Sequence, residues 1–108
     1  MFGFQKLDVY TCALEALPLL YAPADRADSD TKRQLRRAAL SINLNIAEGT
    51  GRRADDQRQF YRIARGSALE SAAVIDAIRV LGLVTRDETR SVETLLVRIV
   101  SMLTKMVD

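Results

Sequence analysis

The fold this sequence predicts is all-α, an antiparallel up-and-down four-helix bundle, and three observations predict it. Apolar residues recur at three- and four-residue steps in four successive segments. The core formers are Leu, Ile, Val and Ala, with only 3 Phe, 3 Tyr and no Trp, a set that favours packed helices over aromatic-rich sheets. No alternating Val/Ile/Tyr-rich run with hairpin turns competes, and short connections make successive helices antiparallel neighbours. With 108 residues the chain reads as one domain, 1–108, large enough to bury roughly two thirds of the surface of its unfolded form.

The first helix is expected from about Asp8, as N-terminal cap, to Tyr21, with Tyr10, Ala13, Leu14, Leu17 and Leu20 along one face. Pro18 removes a backbone donor inside that span, so the helix is expected to kink there or finish early. The stretch APADRADSD then reads as a connection. Helix 2 starts near Ser29 or Asp30 and buries Leu35, Ala38, Ala39, Ile42 and Ile46, with Arg33, Arg36 and Arg37 on much of the opposite face. Gly49 and Gly51 are expected to end it through the left-handed backbone open to glycine.

Helix 3 restarts at Asp55 and Asp56, acids that suit the positive end of a helix. Its stripe is Phe60, Ile63, Ala64, Ser67, Ser71, Val74, Ile75, Ile78 and Leu81, and the small residues from Gly66 to Ala73 mark a close helix crossing. Gly82 closes it. Thr85 and Glu88 then fit a capping box for helix 4, whose face carries Val92, Leu95, Leu96, Ile99, Leu103 and Met106. Val97, Val100, Met102 and Val107 fall off that face, and an apolar surface this wide points to cover by another subunit.

The composition, 48% hydrophobic and 28% charged with 5 Gly and 2 Pro, excludes disordered, collagenous and low-complexity classes. No apolar run approaches the ~20 residues of a membrane span, and the N-terminus lacks the basic and apolar regions of a signal peptide, so a cytoplasmic protein is expected. The chain has no histidine and a single cysteine, Cys12, which reads as a buried inert thiol. Their scarcity argues against His-dependent nucleophile pairs and His- or Cys-based metal sites, and no catalytic residue, metal or cofactor is expected. The glycines flanking Thr50 lack the preceding strand of a phosphate loop. Glu48 and Glu70, carboxylates with arginines nearby, are the only acid–base candidates; pairing with arginine or a backbone amide is the simpler role for each.

Charge is unevenly distributed. Between Lys32 and Arg65 lie nine basic residues against three acidic ones, net +6, which leaves net −4 for the rest of a chain whose total is +2. Thirteen of the sixteen cations are Arg, whose planar fork suits phosphate and carboxylate. A solvated helical face would account for such a run; an anionic macromolecular partner would account for its concentration in one third of the chain.

The string SINLNIAEGTGR at 41–52 resembles the signature S-I-P-x-N-I-A-E-G-x-G-R of the four-helix-bundle proteins encoded within intervening sequences of bacterial 23S ribosomal RNA genes. QLRRAA at 34–39 precedes it, FxxIARGSxLE at 60–70 follows at the family spacing, and FxKLDVY near the start resembles the family opening. Two departures stand out, Asn43 in place of the usual proline and Pro18 in helix 1; both bear on local geometry and not on the fold. The resemblance implies a homo-oligomer, typically a pentamer around a central channel, and similarity to accessory proteins of diversity-generating retroelements, which bind nucleic acid and a reverse transcriptase. It brings no catalytic residues. On the residues themselves, Asn45, Glu48, Gly49 and Gly51 read as a structural joint between helices 2 and 3, with Asn45 and Glu48 bonding backbone groups around the turn.

The function expected is therefore non-enzymatic: an oligomeric nucleic-acid-associated protein whose Arg33, Arg36, Arg37, Arg52, Arg53, Arg58, Arg62 and Arg65 contact phosphates without reading bases. The alternative is a protein–protein scaffold or accessory subunit that recruits a partner such as a reverse transcriptase. A small helical enzyme using Arg and Glu ranks last.

Overall fold

A computed structural model describes all 108 residues. After a short 3-10 turn at Gly3–Lys6 come four helices, α1 (Asp8–Ala24), α2 (Ser29–Thr50), α3 (Ala54–Val80) and α4 (Arg86–Val107), with no strand. Each helix packs on its sequence neighbours, and α1 closes the ring against α4. Directions follow from side-chain pairs. Gln34 reaches Glu70, Ser41 meets Ser67 and Thr50 meets Tyr61, so α3 runs back along α2. Arg79 pairs with Glu93 and Arg65 with Thr104, so α4 reverses again. Arg26, just past α1, bridges to Glu88 at the start of α4 at 2.6 Å. The antiparallel bundle is as predicted, and its core is aliphatic: Leu20, Leu35, Ile42, Ile46, Ile75, Ile78, Ile99 and Leu103 are all sealed from solvent.

Helix α1 departs most from expectation. It neither stops at Pro18 nor ends at Tyr21, but continues through Pro18 and Pro23 to Ala24, which shortens the connection to residues 25–28. Pro18 is exposed, as is Leu14 one turn earlier at 44%, so the carbonyl that loses its donor stands on the water side. The buried face is Val9, Cys12, Ala13, Ala16, Leu20 and Ala24, rotated from the expected stripe. Asp8 does not cap; the capping position is Leu7, without a side-chain bond, and Asp8 is the first helical residue. Phe2, Phe4 and Tyr10 stack over this end, Phe4 and Tyr10 edge-to-face at 4.9 Å.

Helix α2 follows the predicted register, with Leu35, Ala38, Ala39, Ile42 and Ile46 all buried and Asp28 capping through the Thr31 amide at 3.1 Å. The Thr31 hydroxyl, and then that amide, hold the Asp28 carboxyl below the usual carboxylate range. Helix α4 opens on the predicted capping box: the Glu88 amide donates to Thr85 Oγ1 at 3.2 Å and the Thr85 amide to Glu88 Oε1 at 2.9 Å. The Thr85 amide, then Arg26, keep the Glu88 carboxyl low. Gly82, at φ 78°, is the one residue in the left-handed region and ends α3 as expected. On α4, Val107 is buried although the periodicity puts it off the core face, and Thr89 joins the core, whereas Val97 is 67% exposed.

Asn43, at the position of the proline in the resembled signature, is buried, and its Oδ1 has no hydrogen-bond partner. An orphan buried acceptor costs about 1–3 kcal/mol. Leucine has the same branched skeleton without the polar atoms and a better helix propensity. Asn43→Leu is therefore expected to stabilise the bundle by about 1 kcal/mol, seen in thermal unfolding as a rise of roughly 4–8 °C. An unchanged or lower midpoint would show that the amide is satisfied in solution.

Candidate polyanion interface and the joint between α2 and α3

The joint is built differently from its glycine-turn reading. Helix α2 runs through Gly49 to Thr50, and Gly51, the capping residue, has φ −84°, which any residue adopts. Gly49 matters for space: a Cβ there would stand 2.9 Å from Phe60 Cβ and 3.0 Å from the Tyr61 ring. Tyr61, and not the expected Phe60, is the buried aromatic of α3. Its hydroxyl lies 3.1 Å from Thr50 Oγ1, and Thr50 donates to the Ile46 carbonyl at 2.8 Å. Phe60 is half-buried, with the Arg52 guanidinium 5.3 Å above its ring, while Ile63 and Leu81, also assigned to the stripe, are exposed.

Neither polar residue of the joint bonds a backbone group of the turn. Asn45 Nδ2 donates back to the Ser41 carbonyl and hydroxyl, both at 2.9 Å, inside α2. Glu48 pairs with Arg52 at 2.5 Å, and this carboxylate raises the Arg52 pKa above its ordinary value. Of the small band on α3, Ala68 and Ser71 are sealed and the Ser67 hydroxyl donates to Ser41 Oγ at 2.8 Å, so the crossing is real there. Gly66 and Ala73 are exposed and take no part.

Glu70 accepts from Gln34 at 2.9 Å. Gln34 and Glu48 are fourteen residues apart on α2, about 21 Å along a helix axis, so Glu48 and Glu70 do not face a common substrate. No group of three or more His, Cys, Asp or Glu side chains is placed to hold a metal ion.

The eight candidate arginines fall into two groups. Arg33, Arg36 and Arg37 lie with Lys32 on the flank α2 shares with α1, toward the end where α1 finishes. Arg36 pairs with Asp25 at 2.5 Å and stacks 5.0 Å from the Tyr21 ring, and Arg33 stands 3.6 Å from Asp30. The second group begins at the joint with Arg52 and Arg53. It continues as Arg58, Arg62 and Arg65, four and three residues apart on one stripe of α3, and Arg65 reaches Thr104 of α4 at 3.4 Å. Arg58 pairs with Asp55. Four of the eight thus carry a carboxylate partner, whereas Arg37, Arg53, Arg62 and Arg65 have none. The antiparallel turn divides what the linear sequence runs together.

A family description, 23S rRNA-intervening sequence protein, matches residues 5–105. The chain belongs to that family. It is a family of small helical intervening-sequence proteins and not a known enzyme family. No curated protein matches the chain. Within this intervening-sequence protein, the SINLNIAEGTGR string that carried the resemblance is the last turns of α2 and the joint, and its glycine at 49 is the point where α3's aromatic pair seats on α2. The arginine that ends the string, Arg52, is spent on Glu48 and Phe60. The unpaired Arg53 follows it as the capping residue of α3. No helix is long and apolar enough to cross a membrane.

Proposed function

We propose that this intervening-sequence protein is a cytoplasmic, non-enzymatic, oligomeric protein that binds nucleic acid through phosphate contacts from its two arginine groups. The observation that supports this reading is the set of guanidinium groups without a carboxylate partner at Arg37, Arg53, Arg62 and Arg65, each on a helix or its cap and three of them along the joint and α3. Rigid helices present these charges along the surface of the bundle, which suits contact with a phosphate backbone. Assembly is supported by apolar side chains left in water, among them Leu44, Leu69 and Val97, and the family resemblance implies five subunits.

Titration of a fluorescent RNA or DNA between ~50 and ~200 mM salt tests the reading. Affinity is expected to fall by about 0.9 log units per log unit of salt for each duplex phosphate neutralised. The double variant Arg53→Gln, Arg62→Gln is expected to flatten that slope by about two. Absence of binding at ~50 mM salt removes the proposal. Light scattering measures the mass, and a monomer removes its oligomeric part.

A second reading is favoured by a separate feature. Between α3 and α4 runs a groove of about 320 Å³ lined by Leu69, Ala72, Leu96, Val97, Val100 and Ser101, with Asp76 and Glu93 at one end. Such an apolar surface suits a protein partner, and a pull-down that survives nuclease treatment separates scaffolding from nucleic-acid bridging.

A further inference from the structure

Where α1 finishes and α2 begins, the helices frame an open groove of about 560 Å³ lined by Tyr21, Ser29, Lys32, Arg33, Arg36, Arg37 and Leu40. Four of these seven are cations within six residues of sequence. Two of these cations already share one anion, the protein's own. Asp25 Oδ1 takes Arg36 Nη2 at 2.5 Å and Lys32 Nζ at 3.1 Å, so a single oxygen serves two cations. Nε of Arg36, on the same edge of the guanidinium as Nη2, is shielded from water and has no acceptor. The Tyr21 ring, 5.0 Å from the guanidinium carbon, holds this fork in place. Arg37 has no carboxylate at all, and Arg33 has only the exposed Asp30.

A guanidinium edge is matched by an anion that offers two oxygens side by side, and a phosphate offers further oxygens to the neighbouring donors. Asp25 does not do this: only its Oδ1 is engaged, from the connection after α1, and its side chain is 57% exposed. We propose that this groove is a seat for one phosphate group and that the Asp25 carboxylate is its resting occupant, displaced from Lys32 and Arg36 when phosphate binds. The inference rests on the polyanion reading for the source of that phosphate, and adds to it one defined seat with an internal competitor. Lys32, by hydrogen bond, and the charges of Arg36 and Lys32 hold the Asp25 carboxyl below its ordinary value, so it competes as an anion across the neutral range.

The probe is inorganic phosphate, followed by arginine Nε–H and backbone amide NMR signals of the full chain. Saturable shifts are expected at Arg36 and at residues 29–37. Asp25→Asn should tighten phosphate roughly threefold to tenfold by removing the competitor. Arg36→Gln should abolish saturation, with circular dichroism confirming that the bundle is intact, and Arg37→Gln should weaken it. A uniform, unsaturating drift of all arginine signals overturns the seat, as does Asp25→Asn binding phosphate no better than wild type. Competition then identifies the source: displacement of phosphate by a 5′-hydroxyl oligonucleotide supports a backbone diester, displacement only by its 5′-phosphorylated form supports a terminal monoester, and displacement by neither overturns the assignment to nucleic acid. Saturation by phosphate with no nucleic-acid binding at ~50 mM salt sinks the polyanion reading alone. Nucleic-acid binding indifferent to both Asp25→Asn and Arg36→Gln sinks the seat alone.

Discussion

Gly49→Ala is expected to destabilise the bundle by about 1–3 kcal/mol, while Gly66→Ala stabilises it by roughly 0.5–1 kcal/mol. Both glycines are inside helices, where alanine is the better helix former by up to about 1 kcal/mol, so propensity alone predicts two gains. What each new methyl meets reverses one of them. At Gly66 nothing lies within 4 Å. At Gly49 the methyl would come within 2.9 Å of Phe60 Cβ and 3.0 and 3.1 Å of two Tyr61 ring carbons, inside the ~3.5–4.0 Å at which carbon atoms rest. Phe60 Cβ is fixed to the α3 backbone and cannot swing aside, so α3 must lift from α2 at the joint. Thermal unfolding reads the pair, with midpoints moving in opposite directions by roughly 4–8 °C per kcal/mol. Two gains would mean that the helices do not meet as closely as 49 and 60 require.

This contrast locates what the linear chain reveals. The α2 face, the Thr85–Glu88 box and the left-handed Gly82 were legible because each depends on residues within a turn or two of one another. The α1 face was not. Leu14, Leu17, Leu19 and Leu20 make that helix apolar on several sides, so periodicity leaves its rotation open, and packing on α2 and α4 decides that Leu14 and Leu19 face water. Its continuation past Pro18 was equally hidden, because the cost of a missing donor depends on which side of the helix meets solvent. The arginines are the third case. Their nearness in sequence says nothing of the turn that sends Arg36 toward Tyr21 of α1 and Arg65 toward Thr104 of α4. Nor does it say which of them an acid three or four residues away, such as Asp55 for Arg58 or Glu48 for Arg52, will neutralise.

Tyr61→Ala is expected to be the more damaging change at the joint, costing about 3–5 kcal/mol, the range for deleting a buried aromatic ring. Tyr61 is 4% exposed and lies against the Gly49 backbone, so its removal empties the space the glycine leaves for it. Its hydroxyl matters less. Thr50 already donates to the Ile46 carbonyl at 2.8 Å, so in the 3.1 Å contact between the hydroxyls Tyr61 is the donor and Thr50 the acceptor. Tyr61→Phe removes that one bond while Thr50 keeps its own, a loss of about 0.5–1.5 kcal/mol. Phe60→Ala, despite the same aromatic character one residue earlier, should cost less than Tyr61→Ala, because its ring is only half-buried, with the exposed Arg52 guanidinium 5.3 Å from it. Denaturant midpoints ordered wild type, Tyr61→Phe, then Tyr61→Ala, with Phe60→Ala above Tyr61→Ala, fit a joint held by the ring of residue 61. A Phe60→Ala variant less stable than Tyr61→Ala would place the anchor one residue earlier and rotate α3 by a full 100° at its first turns.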